Sequence, residues 1–113
     1  MINKWLSDLK NGWQNKDIES ILSLFDKRVE YWETPYKKVD IAGLKDEWQA
    51  IHSQESINLD LSMYSTQGNR HTVKWKLSYT DQHAKPQNWS GIYLIELDDN
   101  NKCTYFYQTG EKI

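Results

Sequence analysis

The stretch Val29–Pro35, which reads VEYWETP, decides the fold of this chain because it forms one strand between amphipathic helical segments. Strand alternation places Val29, Tyr31 and Glu33 on one face. Pro35 ends the strand, since proline cannot donate a hydrogen bond to a neighbouring strand. Glu33 therefore marks the far end of this strand, on the same face as an apolar and an aromatic side chain.

Three helices are predicted around this strand, because apolar residues recur there at spacings of three and four. The first covers Lys4–Gln14, with Asn3 as its N-cap. The second begins after Asp17 and the third after Asp40, two residues whose carboxylates can accept from free backbone N–H groups.

Apolar and polar residues alternate through the rest of the chain, which is typical of strands in a sheet with one buried face. Residues 26–28 are predicted to be a turn, residues 35–39 a loop, and the tail 109–113 a frayed end. The later strands are expected at residues 57–64, 73–80, 89–97 and 103–108. Helices followed by strands indicate an α+β domain, with a curved antiparallel sheet and three N-terminal helices over its concave face.

The chain has 113 residues, which fits one domain, and no linker or repeat divides it. Its formal net charge is −2, with acidic and basic residues interspersed, which argues against a nucleic-acid or membrane partner. We expect no signal peptide or membrane span. The single Cys103 fits a reducing compartment, so cytoplasmic localisation is the expectation.

The motif order around VEYWETP resembles the NTF2-like superfamily, in particular its SnoaL-like branch. The matching words are Asp17-Ile18…Ile21…Leu24-Phe25, then Val29-Glu30-Tyr31, Pro35, and Leu44…Trp48. The resemblance extends over nearly the whole chain and implies a cone-shaped α+β domain of residues 1–113. One departure is Asp40, where many members carry glycine.

The resemblance implies several functions, because the superfamily includes polyketide cyclases, ketosteroid isomerases, dehydratases and non-catalytic binding or association domains. Two hypotheses remain open. In the first, the cone binds a small hydrophobic molecule and performs acid–base chemistry of the isomerase, cyclase or dehydratase type. In the second, it is a binding or dimerisation domain whose cavity is filled by its own side chains. Fold alone cannot decide between them.

Glu33 is the candidate catalytic residue. Aligned without gaps, it falls where the isomerase branch places its proton-abstracting carboxylate. An apolar, aromatic surrounding raises a carboxyl pKa, which suits a general base near neutrality. The alternative is a structural carboxylate paired with Lys37, Lys38 or Arg70.

Ketosteroid isomerases use two hydrogen-bond donors to the oxyanion, and this sequence has no donor at the first position and a different donor at the second. The helix-one tyrosine of those enzymes corresponds to Leu9, which cannot donate a hydrogen bond. The acid on a late strand corresponds to Tyr93, whose hydroxyl can donate. Tyr93 is therefore the second catalytic candidate, and ketosteroid isomerase activity itself is not expected.

The chain has 6 Trp and 7 Tyr but only 2 Phe, a composition that favours either a ligand pocket or a core of bulky residues. If odd-numbered residues of the late strands face inward, the aromatic residues converge there on the first helix. The candidate ligand-binding residues are Trp13, Tyr31, Trp48, Trp75, Trp89 and Tyr107.

The histidines lack metal-ligand spacing, and the chain has no glycine-rich phosphate loop or nucleophile elbow. We therefore expect neither a metal nor a cofactor.

Even-numbered residues of the late strands predict an apolar patch on the convex side, formed by Ile92, Leu94, Phe106 and Tyr64. Such a patch would be exposed in a monomer. Members of the resembling family commonly pair two cones through that side, so a homodimer is the expectation.

Overall fold

The computed structural model describes residues 1–113 as three α-helices, one short 3₁₀ helix and a six-stranded sheet. These elements confirm the α+β class. In chain order they are α1 Ile2–Gln14, α2 Ile18–Leu22, β1 Phe25–Thr34, β2 Lys37–Val39, α3 Ile41–Trp48, the 3₁₀ helix Gln49–Ser53, β3 Glu55–Gln67, β4 Arg70–Thr80, β5 Pro86–Leu97 and β6 Cys103–Lys112.

Two of the three predicted helix caps are confirmed. Asp17 accepts a hydrogen bond from the Ser20 backbone N–H, and Asp40 accepts one from the Gly43 N–H at 2.8 Å. The predicted cap at Asn3 is wrong, because α1 begins at Ile2, two residues before the predicted start at Lys4, and its N-cap Met1 makes no side-chain hydrogen bond.

The strands form one open sheet in the order β2-β1-β6-β5-β4-β3. β3 to β6 are a meander of antiparallel neighbours, as expected. One pairing departs from the expected antiparallel arrangement, because the last strand of the meander returns beside β1 in the same direction. The sheet is therefore mixed, with β1 as the link between the hairpin β1–β2 and the meander.

Three segments that were predicted to be a turn, a loop and a frayed tail belong to strands in the structure. Residues 26–28, predicted as a turn, lie within β1. Residues 37–39, predicted as loop, form β2, in which Val39 pairs with Tyr31. The predicted frayed tail continues β6 as far as Lys112, which pairs with Trp89. In β2 and at the end of β6, pairing with a neighbouring strand outweighs the weak strand propensity of these polar segments. Residues 26–28 are instead an irregular stretch of β1 between the pairs Phe25–Cys103 and Glu30–Tyr105.

The inner face of the sheet is the one that the helices cover, and a bulge decides which β6 residues lie on it. Leu97 pairs with Cys103 but Glu96 pairs with Tyr105, so β6 has one extra residue there. A single extra residue moves every later side chain to the opposite face. Phe106 is therefore inward and buried, and Tyr107 is on the outer face beside Leu94. The predictions that Phe106 is outward and Tyr107 inward are wrong for this reason.

The helices bury the inner face in a single apolar core. Trp5 of α1 is fully buried, and its indole N–H donates to the Leu24 carbonyl at 2.9 Å. The Gln14 side chain accepts from the Leu59 backbone N–H, which fixes the end of α1 against β3. No helix in the protein has the length and apolar character needed to cross a membrane.

Candidate functional site

Six aromatic rings form a continuous row across the inner face. Successive ring centroids are 6.2, 5.9, 4.8, 4.7 and 5.4 Å apart, within the range of favourable edge-to-face and stacked contacts. The order is Trp13, Trp48, Tyr31, Phe106, Tyr93 and Trp75. Trp13, Trp48, Trp75 and Tyr93 were predicted to converge on the concave side, and they do.

The rings fill much of the space that they were predicted to line. None of the five main clefts of the protein borders Tyr31, Glu33 or Tyr93. One cleft of about 550 Å³ lies on the outer face, where Lys74 and Ile92 contribute to its lining. An open slot that reaches Glu33 from the interior therefore remains a prediction.

Glu33 lies at the rim of the inner face in a cluster of two carboxylates and one ammonium. The Lys37 Nζ donates to Glu47 Oε1 at 2.7 Å and lies 3.1 Å from Glu33 Oε2. The contact with Glu33 is badly angled, so this buried oxygen has an ion-pair neighbour but no hydrogen bond. The predicted pairing of Glu33 with Lys37 is confirmed, whereas Arg70 pairs with Glu96.

Burial raises the pKa of Glu33, and the neighbouring Glu47 raises it further, while the Lys37 ammonium opposes both effects. The two carboxylates share one cation, so the cluster carries excess negative charge when both are ionised. A carboxyl group with a raised pKa can exchange a proton nearer neutrality than an ordinary glutamate.

Two buried tyrosines belong to the aromatic row, and Tyr31 lies near the carboxylates of this cluster. Tyr31 is 4% exposed and Tyr93 is 5% exposed. Burial raises the pKa of both hydroxyls, and for Tyr31 the charges of Glu33 and Glu47 add to the rise. Both hydroxyls therefore stay protonated and can donate a hydrogen bond.

Both ends of the aromatic row also carry unused donors. The indole N–H groups of Trp13 and Trp75 are buried and have no hydrogen-bond partner. Such groups are uncommon, because a buried donor without a partner loses its water at a cost of about 1–3 kcal/mol.

The other predicted site residues lie apart from Glu33. Trp89 is half-buried on the inner face near the far end of β5, where Lys112 is its partner on β6. Tyr107 is on the outer face, between Trp32 and Leu94. Leu9 is part of the core, so the position of the isomerase tyrosine holds no donor.

Sequence reasoning missed Glu47, the residue directly before Trp48 on α3. The sequence signal that could have identified Glu47 was its position directly before the inward-facing Trp48, which brings it close to the β1–β2 hairpin. The protein has no group of three or more His, Cys, Asp or Glu side chains that could hold a metal ion.

Glu33→Gln should raise the stability of the protein at pH 7 relative to wild type. Because the folded-state pKa of Glu33 is raised, its contribution to stability is present below its ordinary value of 4.5 and is lost as pH rises through the folded value. Urea unfolding of both proteins from pH 4 to pH 7 measures this. The advantage of the variant should grow with pH, and a constant difference would contradict the assignment.

Comparison with known proteins identifies the fold of this chain but no relative that matches it by sequence. No protein-family model matches the chain, and no curated protein matches it significantly. Solved structures match over nearly the full length at 9–19% sequence identity, which is evidence for fold alone.

Three solved structures illustrate the match. An NTF2-like protein of unknown function from Exiguobacterium has a TM-score of 0.78 and 13% identity, with 95% of this chain and 98% of that chain covered. The Δ5-3-ketosteroid isomerase from a Mycobacterium species has a TM-score of 0.80 and 12% identity, with 97% and 96% covered. The epoxide hydrolase/cyclase-like enzyme SalBIII, of pyran ring formation in the polyether salinomycin, has a TM-score of 0.81 and 9% identity, with 96% and 89% covered. The helices, the curved mixed sheet and these matches together show that the chain has the NTF2-like fold.

Proposed function

We propose that this protein binds a small, largely apolar molecule at the rim of its cone, where Glu33 meets Tyr31 and Trp48. The observation that carries the proposal is the set of buried hydrogen-bonding groups without partners along the aromatic row. Glu33 Oε2 and the indole N–H of Trp13 have no hydrogen-bond partner, and the Tyr31 hydroxyl lies near the charges of Glu33 and Glu47. A ligand with one or two polar groups on an apolar body would satisfy them and cover the adjoining rings.

The solved structures of the same fold support this proposal at the level of ligand size. The ketosteroid isomerase and the cyclase-like enzyme act on small organic molecules by their names, on a scaffold that this chain shares. The rim of the cone is also the part of the inner face that the core leaves half-exposed, since the Glu33 side chain is 33% accessible.

Acid–base catalysis is a second candidate function of the same site. Glu33 would accept a proton from the ligand, and the protonated Tyr93 would donate to an oxygen on which charge develops. The raised pKa of Glu33 favours this candidate. The ion pair with Lys37 and the filled interior favour binding without chemistry, as in the association-domain hypothesis.

Tyr31→Phe tests the binding site, because it removes one hydroxyl and keeps the ring contacts with Trp48 and Phe106. A fragment set of mixed charge, screened by ligand-observed NMR, should give binders that lose about three- to tenfold in affinity with the variant. Tyr64→Phe is the matched control, since Tyr64 is 73% exposed on β3. If no fragment of any charge binds, or binders ignore Tyr31→Phe, the proposed site is wrong.

We also propose that the protein is a homodimer that pairs through the outer face of its sheet. Strand pairing places Trp32, Tyr107 and Leu94 in one row there, with Ile92 in the next. Ile92 and Leu94 are 43% and 40% exposed, although both are large and apolar. On β4, Lys74 is the strand partner of Ile92 and gives the patch a basic side. Glu30 and Glu96 are the strand partners of Tyr105 and give the patch an acidic side. A patch with one basic and one acidic side can pair with its own two-fold copy.

Leu94→Arg should convert this dimer to a monomer, because it places a charge at the centre of the apolar patch. Size-exclusion chromatography with light scattering measures the mass over a range of protein concentrations. Tyr36→Arg is the control, since Tyr36 is 94% exposed at the β1–β2 turn, away from the patch. A wild-type monomer at high concentration would rule out the dimer.

A further inference from the structure

We propose that the cleft on the outer face of the sheet binds a small organic monocarboxylate, with the anionic end at Lys74 and Lys76 and the apolar body against Ile92. This cleft lies on the opposite side of the sheet from the aromatic row and from Glu33. The inference therefore goes beyond the proposed function of the rim and does not depend on it.

The cleft has a volume of about 550 Å³ and lies between two rows of outward-facing side chains. Its floor is the backbone of Leu61, Trp75 and Gly91, which are strand partners across β3, β4 and β5. The side chains of Leu61 and Trp75 point to the inner face and Gly91 has none, so only backbone is present here on the outer side. The neighbouring residues point outward and form the walls, which are Asp60, Lys76 and Ser90 on one side and Ser62, Lys74 and Ile92 on the other.

The charges in the cleft favour an anion with a single negative charge. Lys74 and Lys76 are two residues apart on β4, so both ammonium groups extend from the same face. Asp60, the strand partner of Lys76, is the only carboxylate among the lining residues. Two ammonium groups and one carboxylate leave one positive charge in excess, which a monocarboxylate neutralises. A second negative charge on the ligand would be repelled by Asp60.

The two lysines are available to a ligand. None of the ion pairs of the protein includes Lys74, Lys76 or Asp60, and all three residues are exposed. Lys37, by contrast, already contacts two carboxylates at the rim. A ligand carboxylate therefore reaches the lysines of the cleft without displacing a partner from either.

Hydroxyl groups and an apolar side chain complete the match to a carboxylate on an apolar body. Ser62 is the strand partner of Lys74, and Ser90 is the strand partner of Lys76, so a hydroxyl lies beside each lysine. Both hydroxyls can donate to carboxylate oxygens. Ile92 flanks Lys74 on the other side and is 43% exposed, so an apolar ligand body in the cleft would cover it.

Benzoate, benzamide and benzamidinium test the charge requirement, because they have nearly the same shape and are anionic, neutral and cationic respectively. Binding is measured at low salt, where exposed charges are screened least, by the NMR shifts of the backbone N–H groups of Ser62, Lys74 and Gly91. The protein is kept dilute, because a partner copy at the proposed dimer patch would also contact Lys74 and Ile92. Benzoate should bind about three- to tenfold more tightly than benzamide, and benzamidinium should bind most weakly.

Asp60→Asn removes the carboxylate that competes with the ligand for the lysines, so it should tighten benzoate binding about threefold. Asp99→Asn, in the exposed turn between β5 and β6, is the matched control and should leave benzoate binding unchanged. Lys74→Gln should weaken benzoate binding at least about threefold and leave benzamide binding unchanged.

Equal affinity for benzoate and benzamide overturns the inference, as do benzoate shifts confined to residues outside the cleft. Unchanged benzoate affinity in Asp60→Asn would also overturn it, and this variant gains affinity if the inference is correct, so a folding defect cannot imitate the expected result. The rim site succeeds or fails separately, because Tyr31→Phe alters only the inner face.

Discussion

Gly91→Ala should destabilise the protein by about 3 kcal/mol or more, or prevent folding. An added Cβ at Gly91 would lie 1.8 Å from the Thr109 carbonyl oxygen and 2.7 Å from the Gly110 Cα. These atoms are backbone of the paired strand β6, so no side-chain rotation can relieve the overlap. The β5–β6 pairing would have to open beside Trp75 and Tyr93, which form one end of the aromatic row.

Gly68→Ala is the matched control for this prediction. Gly68 has a φ of +59° in the β3–β4 turn, and an added Cβ meets no atom within 4 Å. The only penalty is the left-handed backbone, which costs about 1 kcal/mol. Thermal and urea unfolding of both variants give the comparison. A loss at Gly91 no larger than that at Gly68 would mean that the two strands do not approach as closely as they do here.

The sequence predicts the fold where one local pattern suffices. The carboxylates of Asp17 and Asp40 mark two helix starts because the capping interaction reaches only three residues along the chain. Strict alternation in β4 and β5 places Val73, Tyr93 and Ile95 in the core, since each is buried against the helices. Short-range periodicity is enough for such elements.

The register of β6 could not be predicted in this way. The extra residue at its start is Thr104, whose hydroxyl donates to the Glu96 carbonyl on the neighbouring strand at 3.3 Å. A threonine between a cysteine and a tyrosine looks like any strand residue, because the bulge depends on the partner strand. The error interchanged the predicted faces of Phe106 and Tyr107. Tyr107, a predicted pocket residue, therefore lies on the outer face.

For a related reason, the sequence predicts Glu33 as a site residue but predicts neither which basic residue pairs with it nor the presence of Glu47. Glu33 stands out because it ends an otherwise apolar strand face before a proline. Its partner could have been any of three basic residues, and only the hairpin β1–β2 brings Lys37 back within reach. Glu47 is 14 positions away and approaches through the packing of α3 on β1. Long-range contacts of this kind define the charge of the site but leave no local pattern.

Trp5→Phe should cost about 2–3 kcal/mol, and clearly more than the same change at Trp75. Trp5 is fully buried, and its indole N–H shares the Leu24 carbonyl with the Cys103 backbone N–H. The substitution removes this hydrogen bond and leaves a void against Phe25 and Phe106. Neither loss can be recovered by a side-chain rotation in a core packed from both sides.

Trp75→Phe removes the same number of ring atoms but loses no hydrogen bond. The indole N–H of Trp75 is buried without a partner, so its removal relieves a desolvation cost of about 1–3 kcal/mol that offsets the lost packing over Gly110. Urea unfolding of the two single variants gives the comparison directly. Equal losses would mean that the Trp75 N–H is hydrogen-bonded in solution. The inner face would then lack one of the unused donors that identify it as a binding surface.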